Sequence, residues 1–369
     1  MRVARHDSLN DLTASRWDRT CPPRRFYASY DWLRVAAATA DPAVEAPFYL
    51  WAEHGGTDFS LPCYPIGPAS PFPFCRLDLV LSRARPDAAV LTAALMPSLL
   101  LGGRNPGHTG FGTAAAGAAG AAGADAGEAA LALLERAEAE ARRRELRTVA
   151  MLYVDEDDAV TRTSLEESGY QGLRHTVASY LTVPAGGFDG YLDGLTRKAA
   201  STVRREVKKL AAAGVSYDVV EPSDAVLAEV DGLERNLNRK YGGIYDDAAV
   251  ARLRATMSEH LTGLLVARAR LGDRTVASLL IIRWRDELYA RTVGFDYQAT
   301  AGLPVYFGLL FYFLVGWAQD NGIRGVSYST GTEDAKRRRG CAGIGQYAYV
   351  KALDDDAADS LDRYRSEVR

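Results

Sequence analysis

From Tyr297 to Gln319 the chain reads YQATAGLPVYFGLLFYFLVGWAQ, without a single charged residue. A helix that is apolar on every side leaves no face for water, so protein must surround it. The strongly apolar part, Leu303 to Ala318, is short for a membrane span, which needs about 20 such residues, and Gly308 and Gly316 interrupt it. The reading is a buried central helix over 303–318. Any fold open to this chain has to pack further elements around that helix.

The flanks say which elements. Before it stand three strand-like runs, TGLLVARARL, TVASLLIIRW and ELYARTVGFD, joined by the tight polar turns GD and RDE; they form an antiparallel meander. After it come a strand, RGVSYST, a charged loop, a second strand, GQYAYVKAL, and a polar C-terminal helix. Upstream lie a helix over 191–210 stopped by Gly214, the strand VSYDVV and two helices, AVLAEVDGLERNLNRKY and DAAVARLRATMSEHL.

The first half is more loosely written. FYASYDWLRVAAA reads as a helical start, FYLWAEH and TDFSLPCYPI as two strands around Gly55-Gly56, CRLDLVLS as a further strand, and AVLTAALMPSLLLGG as apolar and ambiguous. TAAAGAAGAAGADAG, 113–127, reads as a flexible low-complexity loop. A helix over 128–146, the strand TVAMLYV, a short helix and the strand HTVASYLTV follow, and PAGGFDG at 184–190 punctuates the chain. The expectation is two domains, 1–185 and 186–369, each large enough for its own core.

Composition removes several function classes. A formal net charge of -3 leaves no globally basic surface, so a nucleic-acid contact needs a local patch. The four cysteines, Cys21, Cys63, Cys75 and Cys341, lack metal-ligand spacing, so no metal is expected. The N-terminal twenty residues carry charges throughout, unlike a secretory leader, and the expected location is cytoplasmic with reduced thiols.

One local patch stands out. On the helix over 191–210, Leu192, Leu195, Ala199, Val203, Val207 and Leu210 share a face, and Arg197, Lys198, Arg204, Arg205, Lys208 and Lys209 fill the other, interrupted by Glu206. That cationic face suits phosphates or an RNA backbone; a solvated helix surface is the competing reading. Lys240 and Tyr241 offer a cation and a phenol at a helix end, where a lysine also suits the helix dipole. On ELYARTVGFD, Tyr289, Arg291 and Val293 alternate outward together and suggest a polar cleft or an exposed edge.

The charged loop TGTEDAKRRRG, 330–340, holds two carboxylates, a lysine and three arginines, and Arg337 to Ala342 fits the short pattern R-x-x-G-x-A. The order of helix, strand, two helices, three antiparallel strands, buried helix and two strands resembles the acyltransferase fold called GNAT, repeated more loosely in the first half. In that fold coenzyme A pyrophosphate sits between the fourth strand and the next helix, here FDYQATAGLPVYFG. The R-x-x-G-x-A pattern falls one helix and one strand later, which removes it as a coenzyme A signature.

Lys336, Arg339 and Gly340 are similar to the lysine, arginine and glycine of the H-K-x-x-R-G version of a motif in the FemABX family of double-GNAT transferases, with Ala335 in place of the histidine. TRKAASTVRREVKKLAAAG and FYASYDWL also resemble that family's sequences. The resemblance implies an α/β protein of two tandem GNAT-like domains, with mixed sheets. It also implies aminoacyl transfer from aminoacyl-tRNA to an amine of a peptidoglycan precursor or specialised metabolite, with no added cofactor. The tRNA would lie on helix 197–209. Lys336 would stabilise the carbonyl oxygen, a role worth about 10²- to 10³-fold in rate. Tyr328 would orient substrate, and Glu333 or Asp334 would take the amine proton. Arg204, Arg205, Lys208, Lys240, Tyr241, Tyr289, Arg291, Arg338 and Arg339 would line the substrate path. The alternatives are an acyl-coenzyme A-dependent N-acyltransferase and a scaffold without activity.

Overall fold

A computed structural model describes residues 1–41, 45–114, 122–243 and 245–366. The chain divides into two compact units, Met1–Val177 with Ile344–Arg369, and Ala178–Gly343. The division differs from a single cut at 185/186. It falls inside two strands, Gln171–Thr182 and Ala342–Ala352, and it gives the C-terminal helix Asp355–Ser366 to the first unit, where Ala357, Leu361 and Tyr364 are buried.

In the first unit, strands Val3–His6, Phe48–His54, Thr57–Ile66, Ser98–Leu101, Thr148–Asp155 and Ala342–Ala352 lie side by side in that order. Side chains alternate across the sheet. Phe48, Leu50 and Ala52 enter a core with helix Ala122–Arg143, while Tyr49 and Trp51 enter the opposite core with Trp17, Leu33 and Leu81. Both faces are therefore covered. The hairpin turn expected at Gly55-Gly56 is present, both glycines having positive φ.

CRLDLVLS is not a strand but the helix Leu77–Ala84. Leu77, Val80 and Leu81 recur at helical spacing and are all buried. AVLTAALMPSLLLGG resolves into helix Ala89–Ala93 and strand Ser98–Leu101. Of the expected loop 113–127, residues 115–121 lie outside the described residues, and 122–127 belong to the helix that runs to Arg143.

In the second unit the strand order is 171–182, Gly325–Ser327, Glu287–Phe295, Arg274–Trp284, Leu264–Leu271 and Val215–Val220. The meander is as expected, with turns at Gly272 and Arg285, both at positive φ. The helix over 191–210 is two helices, Gly187–Asp193 and Arg197–Ala212. Thr196 breaks it: its extended backbone and its Oγ1, which accepts from the Ala199 amide, make it an N-cap.

The apolar run is the buried central helix, and it spans 305–320 with Leu309, Phe311, Leu314, Val315 and Ala318 fully buried. Among the described residues no helix is long and apolar enough to cross a membrane. The central helix contains a π-helical stretch, Gly308–Phe313, a feature that is frequent at functional sites. A Cβ at Gly308 would stand 2.2 Å from the Tyr217 hydroxyl and 2.6 Å from Leu210 Cδ1, so glycine permits the close packing there.

Candidate active site

The site in the second unit begins where two parallel strands part. Glu287, Leu288 and Tyr289 pair with Gly325, Val326 and Ser327, and the ladder between them ends there. Strand 287–295 runs on to Phe295, whereas the other chain enters the loop TGTEDAKRRRG. That loop turns through Ser329, Gly331 and Thr332, all at left-handed φ (54°, 80° and 48°). Two of these are not glycine, and each such residue costs about 1–2 kcal/mol.

Lys336 holds this turn. It lies in the short helix Glu333–Arg337, is 4% exposed, and donates to the carbonyl oxygens of Tyr328 (2.7 Å), Ser329 (3.3 Å) and Thr330 (3.0 Å). An ammonium has three N–H groups, so in this geometry none remains for a substrate oxygen. In this geometry the Lys336 ammonium is engaged with the backbone of the turn, where the sequence reading expected it to face a carbonyl oxygen of substrate. Burial pushes its pKa down to about 8, while the three carbonyl dipoles favour the charged form.

Tyr328 is likewise occupied. Its hydroxyl donates to the Leu310 carbonyl inside the π-helical stretch, and its ring stacks on Phe311 at 4.7 Å. Burial raises its pKa well above the usual phenol value. It fixes the loop to the central helix.

The three arginines of the loop have three fates. Arg337 pairs with Asp334 at 2.6 Å and approaches Glu333 at 3.9 Å. Arg338 is exposed. Arg339 is 7% exposed: its guanidinium lies over the Phe307 ring at 3.9 Å and donates to the Tyr312 hydroxyl (2.8 Å) and to both Glu206 oxygens (2.8 and 3.1 Å). Tyr312 in turn donates to Glu206, and Tyr191 donates to the Arg339 carbonyl at 3.0 Å. Arg339 is thus an internal strut between the loop, the central helix and helix 197–212. Glu206 and Tyr312 are site residues that the sequence reading missed; the one acid in a cationic run was the available signal.

Arg197, Lys198, Arg204, Arg205, Lys208 and Lys209 are all exposed on helix 197–212. Among the described residues none of the six has an ion-pair partner within 4 Å. At the far end of the site, Lys240 Nζ stands 4.1 Å over the Tyr297 ring, and Tyr241 is 61% exposed. Phe295 lies 5.9 Å from Tyr297 and 6.1 Å from Tyr306, and the Tyr306 hydroxyl lies 3.4 Å from Thr332 Oγ1. An aromatic strip therefore leads from Tyr297 to the loop.

Tyr289 and Arg291 do not share the expected outward face. Leu280 pairs with Thr292 and Ile281 with Ala290, so Arg291 is the extra residue of a β-bulge, which breaks the alternation. Tyr289 is 2% exposed and lies inside the core. Beside the bulge, Thr292 donates to Glu234, which pairs with buried Arg254; Arg254 also donates to Asp231 at 3.0 Å.

Residues 197–337 match the family model described as an acetyltransferase (GNAT) domain. No curated protein sequence matches the chain. Among solved structures, FemX is similar with a TM-score of 0.58 at 11% identity, covering 95% of this chain and 98% of its own. The tandem GNAT protein from the clavulanic acid biosynthesis pathway has a TM-score of 0.51 at 11% identity, with 96% and 99% covered. L-PGS from Bacillus licheniformis has 0.51 at 10% identity, with 86% and 88% covered. Identities this low speak to fold alone. The chain therefore has a double-GNAT fold similar to those of FemX and the tandem GNAT protein, and residues 197–337 are similar to the acetyltransferase (GNAT) domain model.

Proposed function

We propose that the protein is an aminoacyltransferase that moves an aminoacyl group from aminoacyl-tRNA onto an amine of a peptidoglycan precursor or specialised metabolite. The observation that carries this reading is the outer face of helix 197–212: six exposed cations with no ion-pair partner among the described residues, on a chain of net charge -3. Such a face gains free energy by releasing counterions from a polyanion. A single small anion would engage only part of it.

In the proposed reaction the amine nitrogen attacks the ester carbonyl carbon. A C–N bond forms, the ester C–O bond to the ribose breaks, and the amine proton passes to the ribose oxygen. Glu333, exposed beside the turn, is the proposed proton relay, since Asp334 is held by Arg337. Lys336 acts through the turn it holds, and Lys240, Tyr241 and Tyr297 offer a cation and ring faces to the donor's unpaired end.

The description of the matched domain as an acetyltransferase favours a second donor, an acyl-coenzyme A. Incubating the purified chain with an amine acceptor and either charged tRNA or acyl-coenzyme A separates the two. Amide formed from charged tRNA and abolished by ribonuclease treatment of the donor supports the first reading. Product that survives that treatment, or forms only from acyl-coenzyme A, refutes it, and no product with any donor indicates a scaffold.

A further inference from the structure

The ion pair between Glu206 and Arg339 joins two elements with different tasks. Glu206 belongs to helix 197–212, whose outer face is cationic, and Arg339 closes the loop 328–340. Tyr312, from the π-helical stretch, bridges them by accepting from Arg339 and donating to Glu206. Burial first, and the neighbouring carboxylate second, raise the Tyr312 pKa far above the phenol range, so it remains a donor at every working pH. The planar guanidinium reaches both partners while stacked on Phe307, a combination that lysine cannot reproduce.

From these contacts we infer that Glu206, Tyr312 and Arg339 form a latch through which a polyanion on helix 197–212 tightens the loop 328–340. The inference rests on the proposed reading of that helix as the tRNA face. Glu206 is shared: Arg205 precedes it in sequence, Lys209 lies one turn on, and Arg339 faces it from the loop. On a helix, residues three apart stand roughly 5–6 Å apart between Cβ atoms, so Lys209 lies inside the Debye length of about 8 Å at 0.15 M salt, and Arg205 is adjacent to Glu206 in the chain. Phosphates that neutralise Arg205 and Lys209 leave Arg339 as the principal counter-charge of Glu206. The loop is then held more firmly when donor is bound, which supplies the differential interaction that any such coupling requires.

The test uses the full chain and deacylated tRNA as the probe. Binding is measured first, then amide hydrogen exchange of 328–340 with and without tRNA, in wild type, Glu206→Gln, Tyr312→Phe and Arg339→Lys. Exchange in the meander 264–295 reports whether each variant is folded, and Tyr312→Phe removes only one hydroxyl. The expected result is a several-fold slowing of loop exchange on tRNA binding in wild type. In the variants the loop exchanges faster and the tRNA effect is lost, although tRNA still binds. Binding without any change in loop exchange overturns the latch alone, as does a tRNA effect that persists in all three variants. Absence of salt-dependent binding overturns the donor reading and the coupling together.

Discussion

Replacing Lys336 by methionine keeps the length and apolar stem of the side chain and removes its ammonium. The three carbonyl contacts are hydrogen bonds to a charged donor, worth about 1.5–3 kcal/mol each, or roughly 6 kcal/mol together. Against this stands the burial of the charge: the drop in pKa from 10.5 to about 8 corresponds to on the order of 3 kcal/mol. The net loss is about 3 kcal/mol, close to the strain of roughly 2–4 kcal/mol in left-handed Ser329 and Thr332. The turn should therefore open while the rest of the unit stays folded. The reporters are the amides of Ser179, bonded to the Ser329 carbonyl at 2.9 Å, and Tyr328, bonded to the Ser179 carbonyl at 2.8 Å. Their hydrogen exchange should accelerate about 100-fold, which is the exchange equivalent of that free energy. Acceleration of less than twofold would refute the positioning role.

The same side chain predicts a pH dependence. Its folded pKa of about 8 lies below the ordinary value of 10.5, so the folded state releases the proton first. Wild type should gain stability relative to Lys336→Met as pH rises from 8 to 10.5, and a flat difference in denaturant midpoints would show that the carbonyls cancel the effect of burial. Charge reversal at Arg204 and Arg205 should weaken tRNA binding and lower the slope of log affinity against log salt by about 2; an unchanged slope in a filter-binding titration returns the helix face to solvent. Gly294→Ala should destabilise the second unit by about 3 kcal/mol in urea unfolding. An added Cβ there meets Leu233 backbone carbon at 2.5 Å and the Glu234 amide nitrogen at 2.6 Å, both backbone atoms that cannot swing aside. A urea midpoint within error of wild type would contradict that packing.

What was legible in the sequence was periodic. The meander, the cationic helix face and the apolar central helix each follow from side-chain spacing, which the folded chain preserves. CRLDLVLS failed because a short apolar run satisfies strand and helix patterns alike, and the arrangement of Leu77, Val80 and Leu81 is decided by what they pack against. The break at Thr196 was written in the sequence as an N-cap residue, but the apolar face on both sides of it concealed the interruption. The roles of Lys336 and Arg339 were not legible for a different reason. Both have acidic neighbours in sequence, yet Lys336 bonds to carbonyls of a turn whose dihedrals no pattern encodes, and Arg339 reaches Glu206, far away in sequence. A motif reports which charges are present and leaves open which of them are already engaged.

The two units differ at the end of their parallel strand pairs, and the difference bears on where a ligand can enter. In the first unit Ser98–Leu101 lies beside Thr148–Asp155, and the chain beyond Leu101 returns to the same strand. Thr109 bridges Val154, and its amide donates to the Tyr153 carbonyl at 3.1 Å. His108 Nδ1 lies 2.7 Å from Asp155, and Gln346 donates to the other oxygen of that carboxylate at 2.8 Å. His108 is thus a buried peg for a returning loop. In the second unit the pair ends at Tyr289 and Ser327, and the chain turns away through the strained residues that Lys336 secures. Open α/β sheets take their ligands at the carboxyl ends of strands, where neighbouring chains leave in different directions. The first unit covers that position with its own backbone. The second sets a latched, charged loop there, so the proposed chemistry depends on how firmly that loop is held rather than on any single charge within it.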